Sequence, residues 1–301
     1  MKSNLLHINL AKCCYMYFEP PSCYRNRTRG TCARTRHYVR KRDLPKIKIN
    51  GHVIEEVSET KFLGVLIDNK LSWIPHINNL HKKLKSVNGI LNRIKRNIPK
   101  ENYKSLYYAL FESHMTYCIT VFGGVSNTHT DKLFRVQKHC IRILFGDFDA
   151  YIQKSETCAR ARVYGKQILG AEFHCKEHTK PLLKALQMLA FQNLYNYQLC
   201  VESLKILKYR LPASLFGLLT LSHRNKGTIL ILPDHLECFA FKVSKMWNIV
   251  SKILMKTDSL VTIKVGAFKR KLKACLLSVQ NKHDDEEWYP CNFNLSTALK
   301  Q

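Results

Sequence analysis

Most of the side chains that could do chemistry in this 301-residue chain are cations. The chain has 49 lysines and arginines against 22 aspartates and glutamates, which gives a net charge of +27 at pH 7. Such an imbalance exceeds what solubility requires and is typical of proteins that bind polyanions. Because contact with phosphates releases condensed counterions, nucleic acid is the expected partner.

Two stretches concentrate the basic residues. Residues 21–45 carry many arginines and a single acid, Asp43, which predicts a basic linker that either contacts phosphates or is simply a solvated loop. The second set lies on the polar faces of a predicted helix and comprises Lys82, Lys83, Lys85, Arg93, Lys95 and Arg96.

Metal-ligating side chains give a weaker pattern. Cys158 with His174, Cys175 and His178 is loosely compatible with a zinc site, whereas the cysteines nearer the N-terminus lack ligand spacing. The 12 cysteines are scattered among helical patterns and no export signal precedes them. We therefore expect reduced thiols in an intracellular protein of the nucleus or cytoplasm.

Catalytic motifs are not evident. The sequence has no phosphate-binding GxxxxGK[ST] loop, no HExxH and no motif that groups a nucleophile with a base. Asp284 and Asp285 lie in an acidic tail without a preceding strand pattern, so we do not assign them a metal ion. No apolar run approaches the length of a membrane span, and neither a membrane nor a small-molecule substrate is expected.

Short strands are predicted in the first quarter of the chain. Asn50-Gly51 between apolar alternations predicts a β-hairpin over 46–57. The apolar run from Phe62 to Ile67 predicts a buried strand with Gly64 inside it, and Tyr15 to Phe18 predicts another buried strand.

Helical periodicity begins at Ile77 and continues for most of the chain. An apolar stripe of about six turns runs from Ile77 to a stop at Pro99, and a second helix follows around 103–111. A third is predicted from Thr130, as N-cap, to Gly146, which gives a three-helix bundle.

The C-terminal part is also predicted to be helical. One pattern starts at Thr179, as N-cap, and continues to Leu211-Pro212; two more lie around 241–254 and 265–277. The predicted fold class is therefore α+β and mostly α.

The order of several short motifs resembles one family. Lys61-Phe62-Leu63-Gly64-Val65, then Ile67-Asp68, then Leu71-Ser72-Trp73, is similar to the segment after the catalytic core in non-LTR (LINE-type, jockey-like) retrotransposon reverse transcriptases. Further matches are Asn9 to Lys12 before an aromatic strand, Phe122-Gly123-Gly124, Arg135-Val136-Gln137-Lys138, Trp247-Asn248 and Phe268 to Lys273. Phe122 departs from the pattern, because the family usually has Trp there.

The resemblance implies an arrangement of domains. It predicts the end of a polymerase palm, a hairpin that grips the primer, a helical thumb and an α-rich C-terminal domain. The corresponding ranges are 1–20 for the palm remnant, 21–45 for the basic linker, 46–76 for the palm hairpin, 77–146 for the thumb, 147–176 for a connection, 177–280 for the C-terminal domain and 281–301 for an acidic tail.

The resemblance also implies roles for particular residues. The primer grip would include Lys61, Phe62, Leu63 and Gly64, and Lys12 would be the one remnant of active-site chemistry. Polymerisation in the intact family uses Mg²⁺ ions held by clustered carboxylates from earlier motifs that this sequence lacks. We therefore expect no cofactor and no catalytic residue in this chain, and no polymerase activity from it alone.

Three functional hypotheses follow. The first is a truncated retrotransposon-derived reverse transcriptase fragment, beginning at an internal methionine, that binds RNA or an RNA–DNA hybrid through thumb lysines and arginines. The second is a domesticated helical module that binds protein partners. The third is a nonfunctional relic in which an exposed sheet edge favours aggregation.

Overall fold

The computed structural model describes residues 9–18, 46–145, 179–222, 229–232, 239–254 and 262–282. The basic linker, the connection and the acidic tail beyond Lys282 therefore lie outside the described residues, and so do the four candidate zinc ligands. The chain divides into a first unit, Met1–Asn79, and a second unit, Leu80–Gln301.

The described strands of the first unit are short and pair two by two. The strands are β1 (Cys14–Tyr15), β2 (Lys48–Ile49), β3 (His52–Val53), β4 (Glu55–Glu56), β5 (Glu59–Phe62) and β6 (Val65–Asp68). β1 pairs in parallel with β4, whereas β2–β3 and β5–β6 are antiparallel hairpins. A 3₁₀ turn at Leu10–Lys12 precedes β1.

The hairpin predicted at Asn50-Gly51 is confirmed. Lys48 pairs with Val53 and Ile49 with His52, and both turn residues have positive φ, 49° for Asn50 and 81° for Gly51. Positive φ at both central positions is the requirement of a type I′ turn, which matches the twist of the paired strands.

Neither of the two predicted buried strands forms as one continuous buried strand. Phe62 to Ile67 is a second hairpin, with Gly64 in its turn rather than inside a strand, and Phe62 is exposed. Only Cys14–Tyr15 of the other run is a strand, and the side chain of Phe18 is 49% exposed. The Leu63-Gly64 turn divides the first run into two short antiparallel strands.

Helices dominate the remaining described residues. They are α1 (Ile74–Ile94), α2 (Tyr103–Leu106), α3 (Ser113–Thr116), α4 (Ile119–Phe122), α5 (Asn127–Phe145), α6 (Lys180–Leu186), α7 (Phe191–Tyr209), α8 (Ala213–Phe216), α9 (Phe239–Leu254) and α10 (Val265–Lys282). 3₁₀ turns at Lys95–Asn97 and Lys100–Asn102 follow α1, and a π turn at Tyr107–Glu112 joins α2 to α3. The observed class is compatible with α+β, mostly α.

The stripe predicted on α1 is buried, but two predicted helix starts need correction. Ile77, Leu84 and Leu91 have no exposed side-chain surface. α5 begins at Asn127, so Thr130 lies in its first turn and is not its N-cap. Thr179 does precede α6, but its buried hydroxyl has no hydrogen-bond partner among the described residues, so the hydroxyl does not cap the helix.

The second unit is organised around α7, most of whose side chains are buried. Its neighbours are α4, α5, α9 and α10. A helix that packs against neighbours on most sides is expected to lack a single apolar stripe. The single helix predicted from Thr179 to Leu211 is wrong, because Gln187 adopts a left-handed conformation with φ of 52° and separates α6 from α7.

Two buried glutamines hold the loop between α6 and α7. Gln137 of α5 donates from Nε2 to the Leu189 carbonyl and accepts at Oε1 from the Phe191 N–H, both at 2.9 Å. Gln280 of α10 donates to the Met188 carbonyl at 3.1 Å and accepts from the Ala190 N–H at 3.0 Å. The polar backbone of this buried loop is thereby satisfied.

Replacing the first of these glutamines should destabilise the fold. We expect Gln137→Leu to lower the free energy of unfolding by roughly 3 kcal/mol or more, because buried groups left without partners cost about 1–3 kcal/mol each. Urea titration followed by circular dichroism measures this. Gln198→Leu on α7 is the matched control, since Gln198 is half-buried and makes no side-chain hydrogen bond to described residues. Equal losses from both variants would contradict the role of Gln137.

Candidate nucleic-acid interface

The tip of the β5–β6 hairpin holds four residues expected at the interface. Leu63 and Gly64 form its turn with φ of 47° and 88°, and Lys61 and Phe62 precede it on β5. The side chains of Phe62 and Leu63 are 61% and 75% exposed. An exposed aromatic ring can stack on a nucleic-acid base, and a neighbouring lysine can contact a phosphate.

A carboxylate fixes the turn that leads from β6 into α1. Asp68 accepts hydrogen bonds from the N–H groups of Ser72 at 3.0 Å and Trp73 at 2.9 Å. Leu71 and Trp73 both have positive φ, 51° and 61°, which is uncommon for such bulky residues. The carboxylate thus stabilises a strained turn, and the motif from Ile67 to Trp73 has a structural role.

The same region contains a buried histidine. Nδ1 of His76, in the first turn of α1, accepts a hydrogen bond from the Leu66 N–H at 3.3 Å. Burial lowers the pKa of His76, which favours the neutral ring that this bond requires. His76 therefore ties the hairpin strand to the start of α1.

A cationic face runs along α1 on the side opposite its buried stripe. Lys85 and Arg93 follow Lys82 by 3 and 11 residues. These separations correspond to about one and three helical turns, so all three side chains lie on this side. Lys82 and Arg93 are about 16 Å apart along the helix axis. Arg96, in the following 3₁₀ turn, extends the same side. All four are exposed, and α1 contains no aspartate or glutamate.

Two of the predicted cations lie off this face. Lys95 donates from Nζ to the Ile143 carbonyl at 3.0 Å, so it satisfies a carbonyl near the C-terminus of α5. Lys83 lies about a quarter turn away from Lys82 and close to His114, whose pKa is lowered first by burial and then by Lys83. We therefore assign Lys95 to the fold and leave Lys83 at the edge of the face.

Sequence reasoning missed a second cationic face, on α5. Arg135, Lys138, His139 and Arg142 follow the spacing i, i+3, i+4 and i+7, which places them on one side of the helix. Burial lowers the pKa of Lys138, and repulsion from Arg142 and Arg135 lowers it further. The i, i+3, i+4, i+7 spacing of these cations is a signal that the sequence contains. It has the same period as the apolar residues that predicted the helix.

A groove lies between the two helices. Its cavity has a volume of about 470 Å³, and the residues that line it are Lys85, Asn88, Gly89, Asn92, His139 and Ile143. Farther toward the start of α1, His81 has its pKa lowered by burial and then by Lys85 and Lys132, so cations of both helices converge there as well. The two faces and the groove form one candidate interface.

Lys12, for which the resemblance implies a remnant of active-site chemistry, belongs to the first unit. Lys12 is exposed in the 3₁₀ turn at Leu10–Lys12. Within the described ranges, no group of three or more His, Cys, Asp or Glu side chains is arranged to hold a metal ion. The expectation that this chain holds no cofactor and the role of Lys12 both stay predictions.

A bilayer-spanning helix is not found in the described part of the chain, whose helices are too short or too polar for one. The expectation concerning the nucleus or cytoplasm stays a prediction.

Asp68 supplies a test of the turn before α1. Burial raises its pKa, but the hydrogen bonds from Ser72 and Trp73 together outweigh burial, so the pKa of Asp68 lies below its ordinary value. A lowered carboxyl pKa stabilises the fold above the unfolded-state value of about 4, and that contribution is lost as the pH falls through the folded-state pKa.

We therefore expect Asp68→Asn to reduce the free energy of unfolding at pH 7 by about 1–2 kcal/mol. The difference from the wild type should narrow as the pH falls below about 4, where the wild-type carboxyl also becomes neutral. Urea titrations at several pH values measure it, with Glu55→Gln on β4 as an exposed control. A deficit that stays constant with pH would contradict the assignment.

Comparison with known proteins gives one partial similarity. A stretch of 120 residues is 27% identical to the RNA-directed DNA polymerase from mobile element jockey of Drosophila funebris. The match covers 39% of this chain and 13% of that polymerase. No family model matches the sequence, and no solved structure matches it. The similarity loosely supports a relationship to LINE-type reverse transcriptases and a retrotransposon-derived origin.

Proposed function

We propose that this chain binds RNA or an RNA–DNA hybrid through the cationic faces of α1 and α5. The observation that carries the proposal is the clustering of Lys82, Lys85, Arg93 and Arg96 opposite the buried stripe of a helix that has no acidic residue. Within the described residues, none of these four side chains pairs with a carboxylate. The partial similarity to an RNA-directed DNA polymerase supports the choice of nucleic acid.

Electrostatics explains why such a surface favours a phosphate backbone. Like charges on one helix face repel one another where they lie within the screening length, which is about 8 Å at physiological salt. Phosphates that approach the face relieve this repulsion and release their own condensed counterions. Because the contacts are to the backbone, binding should tolerate many sequences.

The hairpin tip supports the same function by a different contact. Phe62 and Leu63 are exposed apolar side chains at the tip, and Lys61 adjoins them. We propose that the ring of Phe62 stacks on a base, as aromatic side chains do in proteins that bind single strands.

Polymerisation itself forms no part of this proposal. The described residues bring together no cluster of carboxylates that could hold the two metal ions of nucleotidyl transfer. We propose that the chain contributes the grip on a nucleic-acid strand, derived from a retrotransposon reverse transcriptase.

Salt dependence tests the electrostatic mechanism. If four to seven cations of the two faces contact a single-stranded RNA, the logarithm of the association constant should fall against the logarithm of salt concentration with a slope between about −3 and −5. Lys82→Gln combined with Lys85→Gln should make the slope less negative by about 1.4. Fluorescence anisotropy with a labelled oligoribonucleotide, measured at several salt concentrations, gives both slopes.

The matched control removes the same charge from another helix. Lys245→Gln combined with Lys252→Gln changes two exposed lysines of α9. We expect this control to leave the slope near that of the wild type. Equal effects of the two double variants would show that net charge, and not the α1 face, drives binding. An affinity that does not vary with salt would overturn the proposal.

A further inference from the structure

We propose that His81 and His139 contact phosphates of the bound strand in the groove between α1 and α5, and that each imidazole takes up a proton from solvent when it does so. Binding of RNA should then tighten as the solution becomes more acidic. This inference rests on the proposed function, because it adds two phosphate contacts to the interface and makes the affinity depend on pH. Lysines and arginines stay charged throughout the neutral range, so they cannot supply this dependence.

The two helices run in the same direction along the groove. Nδ2 of Asn88 donates to the Val136 carbonyl, and Nζ of Lys95, just after α1, donates to the Ile143 carbonyl. Between these two contacts the chain advances by seven residues on each side, from 88 to 95 and from 136 to 143. Side chains from the early turns of both helices therefore meet at one end of the groove, and side chains from later turns meet farther along it.

His139 belongs to the wall that α5 contributes. It is exposed, and it lines the same cavity as Lys85 of α1. On its own helix, Arg135 and Arg142 lie about one turn before it and one turn after it, and Lys138 precedes it directly. A phosphate that enters the cavity therefore meets an accessible imidazole together with cations from both helices.

His81 extends the wall that α1 contributes. It precedes Lys85 by four residues, so it lies on the same side of α1 one turn earlier. Burial lowers the pKa of His81 most, and repulsion from Lys85 and from Lys132 of α5 lowers it further. His129 lies one turn before Lys132 on α5. The half-buried ring of His81 is thus influenced by cations of both helices, as His139 is.

Negative charge is scarce on the two helices. α1 has no acidic residue, and Asp131 is the one acid of α5. Nearby cations favour the neutral form of an imidazole, and here few carboxylates oppose them. Phosphates reverse this balance, because an opposite charge within about 4–6 Å favours the imidazolium ion. The free interface therefore keeps its imidazoles neutral at a pH at which the occupied interface protonates them.

The sign of the pH dependence follows from proton linkage. The bound state holds more protons than the free state, so the association constant rises as the pH falls. For one imidazole, an increase of the pKa by one unit on binding corresponds to about a tenfold gain in affinity. For His81, whose pKa in the free protein lies below the ordinary value of 6.5, the gain is complete only below that lowered value. Each protonated imidazole on a phosphate should also make the salt slope more negative by about 0.7.

The first arm of the test measures binding of the wild-type chain from about pH 8 to about pH 5.5, the range in which histidine titrates. The probe is an oligouridylate, whose bases and phosphodiesters do not titrate there, labelled with a dye that does not titrate either. We expect the affinity to increase about tenfold across this range and the salt slope to become more negative by about 1.4. Calorimetry in buffers of different ionisation enthalpy measures the proton uptake directly.

The second arm fixes the charge at each position. Glutamine stands for the neutral ring, so His81→Gln combined with His139→Gln should remove most of the pH dependence. Lysine stands for the charged ring, so His139→Lys should bind more tightly than the wild type at pH 8 and should vary less with pH. Because His139 is exposed, His139→Gln alone tests the inference even where the loss of the half-buried His81 ring disturbs packing.

The control variant is His52→Gln. His52 is exposed on β3 and belongs to neither helix of the groove. We expect His52→Gln to keep the pH dependence of the wild type. Glu112, whose pKa is raised by burial to about 7, also titrates in this range, but it is unchanged in every variant. Its contribution therefore cancels when the variants are compared.

The outcomes separate this inference from the proposed function. A steep salt dependence with an affinity that is the same at every pH would overturn the inference and leave the electrostatic proposal standing. An undiminished pH dependence in the double glutamine variant would assign the proton uptake to other groups and would also overturn it. No binding at any pH would overturn both.

Discussion

The arrangement of the second unit depends on how the loop before α7 satisfies its backbone. The residues from Met188 to Phe191, which lead into α7, are buried, so water cannot pair with their free carbonyl and N–H groups. Gln137 and Gln280 pair with four consecutive backbone groups of that loop, from two different helices. These two side chains thereby fix α5, α7 and α10 relative to one another. A satisfied buried polar network specifies one arrangement of the core more uniquely than apolar packing alone.

The hydrogen bonds of Gln137 extend from this loop toward the surface. Gln137 also donates to the hydroxyl of Tyr107, which hydrogen-bonds to the half-buried Glu112. The π turn brings these two residues, five apart, onto one side of the chain. Burial raises the pKa of Glu112 to about 7, with Lys273 opposing the shift. On α5, Gln137 and the cationic face lie on opposite sides of the helix. The buried hydrogen bonds of Gln137 therefore fix the orientation of the helix that carries the cations.

Periodicity and turn chemistry predicted the elements that depend on local sequence. The stripe of α1 and the Asn50-Gly51 hairpin were found because their signals lie within a few residues. The Leu63-Gly64 turn was missed because leucine rarely adopts positive φ. The break at Gln187 was missed because no glycine or proline marks it, and the glutamines that stabilise the loop are about 50 and 90 residues away in sequence. Single-sequence patterns do not record such distant bonds, and this is also why the groove at Asn88 was not predicted.

Several of the motifs that resemble a reverse transcriptase have structural roles. Asp68 fixes a turn, Gln137 clamps a loop, and Asn248 exchanges two hydrogen bonds with the backbone of Leu230. Trp247 and Phe268 are fully buried with ring centroids 6.0 Å apart. At these positions the likeness is carried by residues that build a scaffold. Nucleic-acid binding is argued mainly from the exposed cations of α1 and α5, and only Lys61 to Gly64, Arg135 and Lys138 belong both to the resemblance and to the proposed interface.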